Sequence, residues 1–163
     1  MWKFWEPGID YGNGFGEADH PLMRSSEAYL IAAEAIVKGA SNGSVGSASD
    51  YYNAVVNRAV GGALADADMA ANPTDLSSSA TKSYRASGNV TIEMIMDERA
   101  REFMGEGLRW YDLKRTGTLI SRSKAFNPWI GALNYIKEHH YLRPIPLSEI
   151  DLATNDVAQN PGY

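Results

Sequence analysis

The chain has 163 residues, of which 44% are hydrophobic and 21% charged, as expected for one globular domain over residues 1–163. Twenty acids outnumber fifteen lysines and arginines, and this net charge of −5 argues against a nucleic-acid-binding protein that depends on a general basic face. The lack of cysteine excludes disulfides, thiolate metal sites and cysteine nucleophiles. No apolar run approaches the ~20 residues of a membrane span.

The N-terminal residues 1–22 are rich in aromatic residues and glycine, a composition typical of loops. Ser26 can cap the first helix, which the Ala-rich sequence predicts over Ala28–Lys38 with Gly39 at its end. Apolar residues occur on nearly every face of this segment. The helix is therefore predicted to pack between neighbours.

A second helix is indicated by apolar residues at helical spacing over residues 48–59. Ser47 and Asp50 resemble a capping box at its start, and Gly61-Gly62 marks its end. Joined by a short polar turn, the two helices form an αα-hairpin of the tetratricopeptide kind. The low complexity of residues 63–88 predicts a long, mobile surface loop.

The clearest helix begins near Asn89 or Thr91 and carries an apolar stripe opposite a charged one. The apolar stripe consists of Ile92, Met96, Ala100, Phe103 and Met104. Asp97 and Arg101 have the spacing and order of a helical ion pair. A short helical piece is predicted from Leu108 to Arg115.

Beyond Gly117 the periodic pattern weakens, and residues 126–129 resemble a turn. Pro144 and Pro146 impose an extended path, and Ser148 is predicted to cap one helical turn after them. The predicted fold is mostly α, with tetratricopeptide-like helical hairpins, long irregular loops and an extended proline-containing C-terminal tail.

Charged residues concentrate in the third helix and the segment after it. They are predicted to form a structural ion-pair joint, which fixes how one helical segment turns into the next. Paired carboxylates can also serve general acid–base catalysis, but the arginines among these acids favour an ion-paired or solvated helix face. The joint comprises Asp97, Glu98, Arg101, Glu102, Glu106, Arg109 and Asp112.

Metal-ligand patterns are sparse. Glu17 and His20 match one half of a di-metal carboxylate motif, but the motif requires a second pair and helical placement. His139 and His140 are adjacent and are expected to point to different faces of a helix or strand. No metal site and no cofactor is predicted.

Tryptophans offer the best candidate binding residues, since aromatic faces stack on the apolar C–H surfaces of sugars. Trp2, Trp5 and Trp129 lie in loop-like contexts beside glycine or proline, where ligand contact competes with packing or a subunit contact. Trp110 lies in a predicted helix and is expected in the core. The three loop tryptophans are the predicted glycan-binding residues.

Three segments in order resemble the SusD/RagB family. Residues 24–35 (RSSEAYLIAAEA) resemble its "R-Y-A-E-v-x-L-x-x-A-E-A" helix. Residues 97–103 (DERAREF) and 106–115 (EGLRWYDLKR) resemble its "D-E-R-x-x-E-f…E-G-x-R-W-f-D-L-x-R" segment. Residues 141–150 (YLRPIPLSEI) and 159–163 (QNPGY) resemble its closing "P-I-P-x-S-E-I…Q-N-P-G-Y".

The resemblance implies a non-catalytic, surface-exposed lipoprotein that binds oligosaccharides or polysaccharides. Such proteins sit on a TonB-dependent, SusC-like transporter in the outer membrane and take part in nutrient uptake. The chain resembles only the C-terminal portion of the family. We therefore expect it to be a soluble fragment, with membrane attachment only through an N-terminal lipid anchor that this chain lacks. The fragment alone is expected to bind glycans weakly.

Two alternatives from other functional classes stay open at this point. One is a helical-repeat module that binds a protein partner, which the covering C-terminal tail disfavours. The other is a glycoside hydrolase fragment, which the lack of an acid pair free of arginines disfavours. The glycan-binding, non-enzymatic role ranks first, with no nucleic-acid partner.

Overall fold

The computed structural model describes residues 22–41, 46–59, 86 and 88–163. These residues form seven α-helices and one 3-10 helix and contain no strand, which confirms the mostly α fold. The α-helices are α1 Ser25–Val37, α2 Ala48–Ala59, α3 Ile92–Glu102, α4 Arg109–Arg115, α5 Leu119–Phe126, α6 Pro128–Leu133 and α7 Leu147–Leu152, and the 3-10 helix is Glu138–Tyr141. The predicted N-terminal loop falls outside the described residues up to 21, and the predicted mobile loop does so except at residues 86 and 88.

The chain divides into two compact units, the first ending at Glu102 and the second comprising Phe103–Tyr163. In the first unit, α1 packs against both α2 and α3. Its interior is made of apolar side chains from all three helices. These include Leu30 and Ala33 of α1, Tyr52, Val55 and Val56 of α2, and Ile95 and Met96 of α3. Among the described helices, none has the length and hydropathy needed to cross a membrane.

Helix α1 begins earlier than the sequence predicts. Its N-cap is Arg24, in an extended conformation, so Ser26 lies inside the first turn, is buried and accepts a hydrogen bond from Arg24. The prediction of Ser26 as the cap was wrong because the helix begins at Ser25 and the Ser26 hydroxyl bonds to the partly buried Arg24 side chain. The end at Gly39 is confirmed: this residue has φ of +99°, and Ala40 N–H donates to the Ala35 carbonyl as in a Schellman motif.

The starts of α2 and α3 follow the sequence signals. Ser47 N–H donates to Asp50 Oδ2 at 2.7 Å and Asp50 N–H donates to Ser47 Oγ at 3.3 Å, which confirms the capping box. The hydrogen bonds from the backbone and side chain of Ser47 lower the pKa of Asp50. Thr91 caps α3, since its hydroxyl accepts from Met94 N–H at 3.2 Å.

The second unit contains helices that the sequence pattern did not reveal. Residues 126–129, predicted as a turn, end α5 and begin α6. Ser148, predicted to cap the last helix, lies inside α7, whose N-cap is Pro146 with no side-chain hydrogen bond. The cap prediction was wrong because the helix begins earlier, at Leu147: Pro146 is still extended, with ψ of 136°, and its carbonyl already accepts from Glu149 N–H at 2.9 Å.

The extended stretch between Leu142 and Pro146 is held by the last five residues of the chain. The Gln159 side chain accepts from Ile145 N–H and donates to Ile145 C=O, both at 2.8 Å, as a neighbouring strand would. Asn160 Nδ2 donates to the Arg143 carbonyl, and Tyr163 OH donates to the Leu142 carbonyl. The resulting arrangement, residues 142–146 against residues 159–163, is called the C-terminal clasp below.

His139 and His140 lie beside each other rather than on different faces. Their ring centroids are 4.1 Å apart, and the His139 ring meets the Tyr163 ring edge-on at 5.1 Å. The prediction failed because both histidines belong to a 3-10 turn that the clasp covers. Gly162 makes this fit possible: it has φ of +94°, and a Cβ there would lie 2.8 Å from His139 Cβ.

We predict that Gly162→Ala opens the clasp. Both the positive φ and the collision with His139 oppose the new methyl group. The His139 ring protons, which lie close to the Tyr163 ring, should shift in the proton NMR spectrum, and the melting temperature should fall. Gly107→Ala is the matched control, because Gly107 has φ of +77° but open space around its Cβ position. Histidine shifts of equal size in both variants would contradict the prediction.

Candidate functional site

Helix α6, which follows α5 directly, carries Trp129, the one predicted binding residue among the described residues. Asn127 separates the two helices, and its side-chain oxygen accepts from the N–H groups of Trp129 at 3.1 Å and Ile130 at 3.3 Å. Pro128 occupies the first helical position, where its missing N–H costs nothing. Asn134, with φ of +48°, ends α6 in the left-handed region. Trp129 is thus held by a capped helix rather than by the loop that the sequence predicted.

Gly131 brings α6 close to α5. A Cβ at this position would lie 2.8 Å from the carbonyl oxygen of Lys124, so only glycine allows this approach. Since each residue of an α-helix turns by about 100°, Trp129 lies roughly 200° around α6 from Gly131. The tryptophan therefore points away from α5, and its side chain is 77% exposed.

Other large apolar side chains near Trp129 in the sequence are exposed as well. Leu133 shares its helix face at i,i+4, Phe126 ends α5, and Tyr135 follows α6. A group of largely exposed aromatic and apolar side chains favours a contact surface. An aromatic ring held on a capped helix can stack against the C–H face of a sugar. We call Phe126, Trp129, Leu133 and Tyr135 the aromatic surface.

The other tryptophans do not add to this surface. Trp2 and Trp5 lie outside the described residues, so their role in glycan binding stays a prediction. Trp110, expected in the core, is partly buried on α4, and the Arg143 guanidinium lies 5.9 Å from its ring centroid.

Glu102 is the centre of the ion pairs in the first unit. Arg24 Nη1 lies 2.8 Å from Glu102 Oε1, and Arg58 Nη2 lies 2.5 and 2.6 Å from its two oxygens. Arg24 also donates to the Glu102 backbone carbonyl at 3.0 Å. The carboxylate is 5% exposed, whereas Arg58 is 59% exposed. The network is therefore buried at the acid and open at one arginine.

The electrostatics of Glu102 favour its charged form. Burial raises the pKa of this carboxyl. Hydrogen bonds from Ser26 and Arg24 and the positive charges of Arg58 and Arg24 lower it by more, so the pKa is lowered overall. A carboxylate of this kind is a poor proton donor at neutral pH.

Arg101 donates to Glu98 Oε2 at 2.7 and 2.9 Å, and its pairing with Asp97 stays a prediction. Glu98 is 5% exposed in this pair. Burial together with the charge of Glu98 raises the pKa of Tyr52 to about 12. The charged stripe of α3 is thus partly interior.

In the second unit, Arg115 Nη2 lies 3.1 Å from Asp112 Oδ1, at the i,i+3 spacing of a helical ion pair. Asp112 and Glu106 are buried, and Arg109 is partly buried. A joint that runs from these residues to the acids of α3 stays a prediction.

Sequence reasoning missed the arginines that hold Glu102 and the pair between Arg99 and Glu27, whose atoms are 3.2 Å apart. These partners are separated by 44 to 78 positions in the chain, so no helical spacing rule relates them. The one available signal was Arg24, the first residue of the motif that contains α1.

A metal site is not formed by the described part of the chain, where no three or more His, Asp or Glu side chains are grouped to hold an ion. Glu17 and His20 of the predicted half-motif fall outside the described residues.

We predict that Glu102→Gln destabilises the chain by about 2 kcal/mol at pH 7, less than for a fully buried pair because Arg58 is exposed. Since the folded-state pKa of Glu102 is lowered, its stabilisation is present above its usual pKa of 4.5 and is lost as the pH falls below it. Urea unfolding curves should therefore separate wild type from variant at pH 7 and converge at low pH. Glu93→Gln, an exposed change on the same helix, is the control. A constant difference across pH would contradict the assignment.

Comparison with known proteins agrees with the motifs and the helical fold. The model of the SusD family matches residues 1–163. The starch-binding protein SusD of Bacteroides thetaiotaomicron is 32% identical over 151 residues, which cover 91% of this chain and 22% of that protein. SusD-like protein P25 of Formosa agariphila is 31% identical over 169 residues, covering 100% of this chain and 28% of the relative.

The chain thus spans about a quarter of the length of these relatives. No solved structure matches it significantly. With a family match over its whole length and motifs in the expected order, the chain belongs to the SusD family.

Proposed function

We propose that this chain contributes a glycan-contacting surface to a non-catalytic protein that captures oligosaccharides for nutrient uptake. The observation that carries the proposal is Trp129, 77% exposed on a capped helix within the aromatic surface. Family membership and the starch-binding relative support glycans as the ligand class. For the whole protein we propose a lipid-anchored position at the cell surface, on the outer membrane, beside a SusC-like TonB-dependent transporter.

A catalytic role is less well supported by the described acids. A glycoside hydrolase needs a carboxylic acid with a raised pKa that protonates the leaving group and a second carboxylate that acts as nucleophile or base. Glu102 has a lowered pKa and two arginine partners, and Glu98 and Asp112 each hold one arginine. These ion pairs suit a structural role rather than proton transfer.

The geometry also indicates how strong binding should be. Aromatic stacking is worth about 0.5–1.5 kcal/mol beyond the area it buries. The described aromatic surface presents one tryptophan, so the chain by itself should bind a single oligosaccharide weakly and a polysaccharide more tightly through repeated contacts.

We predict that Trp129→Ala weakens binding by roughly tenfold, equivalent to about 1.4 kcal/mol. The measurement is affinity electrophoresis of the chain in gels that contain one polysaccharide of a panel, supported by NMR titration with the matching oligosaccharide. Trp129→Phe should retain part of the affinity because an aromatic face remains. Tyr29→Ala is the control: it removes a 43% exposed aromatic residue of the first unit and should leave the affinity for glycans unchanged.

Equal retardation of wild type and Trp129→Ala in every gel would refute the role of this surface. Hydrolysis of a chromogenic glycoside that Glu102→Gln abolishes would instead support an enzyme. A protein-interaction module would show no retardation by any glycan.

A further inference from the structure

Positive charge is concentrated around the aromatic surface. Residues 113–137 contain five of the fifteen lysines and arginines and none of the twenty acids. The remaining chain therefore carries twice as many acids as bases. The five cations are Lys114, Arg115, Arg122, Lys124 and Lys137.

One of these cations lies beside an aromatic ring, and a second is exposed on the same helix. The Arg122 guanidinium lies 5.0 Å from the centroid of the Phe126 ring, within cation–π distance. Lys124 is exposed on α5, and its backbone carbonyl oxygen is the atom on which Gly131 of α6 packs, so this lysine belongs to the part of α5 that contacts α6. Asp112 offsets the charge of Arg115. Lys114 and Lys137 are exposed.

Distances within this helix pair are short. Helices of eight and six residues are roughly 12 and 9 Å long. The charges on α5 therefore act over the aromatic surface at about one to two Debye lengths at physiological salt, and more strongly at low salt. A ligand stacked on Trp129 meets a positive potential in an otherwise acidic chain.

We propose that the surface of α5 and α6 selects acidic oligosaccharides built of uronate sugars; this inference rests on the proposed glycan-binding function. A uronate unit has an apolar C–H face for the Trp129 ring and, at its rim, a carboxylate for a lysine or arginine. A neutral sugar satisfies only the first of these contacts. Nucleic acid fits less well, because the acid-rich remainder of the chain repels a long phosphate backbone.

The test compares hexagalacturonate with its fully methyl-esterified form, which has the same sugar backbone but no charge. NMR titration of the chain should show at least fivefold tighter binding of the acid than of the ester at 50 mM NaCl. The ratio should fall towards one at 500 mM NaCl, because salt screens exposed charges.

Lys124→Gln should weaken binding of hexagalacturonate about threefold and leave binding of the ester unchanged. Lys38→Gln is the control in the first unit: it also removes one exposed positive charge, here the partner of Glu34, and it should affect neither ligand. Lys124 is an exposed side chain, so its replacement should leave the circular dichroism spectrum and the melting temperature unchanged.

The outcomes separate the inference from the function on which it rests. Equal affinity for acid and ester, with loss of both in Trp129→Ala, overturns the uronate preference and leaves glycan binding in place. Binding of neither ligand, with retardation by neutral polysaccharides, overturns the preference as well. No binding of any glycan overturns both proposals. Tighter binding of a single-stranded oligonucleotide than of hexagalacturonate would also refute the uronate assignment.

Discussion

The buried carboxylate of Glu102 is the interaction on which the first unit depends. Arg24 precedes α1, Arg58 lies in the last turn of α2, and Glu102 ends α3, so one acid joins the ends of three helices. Arg24 also donates to the Glu102 backbone carbonyl, one of the groups that the end of a helix leaves without an intrahelical partner. Such a network adds little net stability beyond a hydrophobic replacement, but it specifies one arrangement of the helix ends.

In the second unit, the extended segment contains two prolines, which cannot donate backbone hydrogen bonds to a neighbouring strand. Between Pro144 and Pro146, Ile145 provides the one backbone N–H, and the Gln159 side chain binds both that N–H and the Ile145 carbonyl. One glutamine thus replaces a neighbouring strand. Gly162 and Tyr163 then cover the histidine pair, so the closing residues of the chain are explained by packing and hydrogen bonding without any ligand.

The sequence predicted those parts of the fold that local chemistry determines. The capping box at Ser47, the end of α1 at Gly39 and the start of α3 at Thr91 each depend on side chains within a few residues of one another. Helices α5 and α6 escaped prediction because they are short and lack a wide apolar stripe, so tertiary contacts rather than periodicity stabilise them. The partners of Glu102 could not be predicted for a related reason, since contacts between distant positions leave no spacing pattern in the sequence.

Part of the candidate site could be predicted from the sequence. An exposed tryptophan beside Asn-Pro could be selected from the sequence, because that context does not suit a core residue. The direction in which this tryptophan points could not be predicted, because it depends on the contact of Gly131 with the Lys124 carbonyl and on the Asn127 cap of α6. Neither contact involves the side chains of the aromatic surface, so substitutions in those side chains can change the ligand without disturbing the support. A scaffold defined by buried ion pairs and a clasp, with a separate short helix pair that carries aromatic rings and cations, allows ligand preference to vary while the fold stays the same.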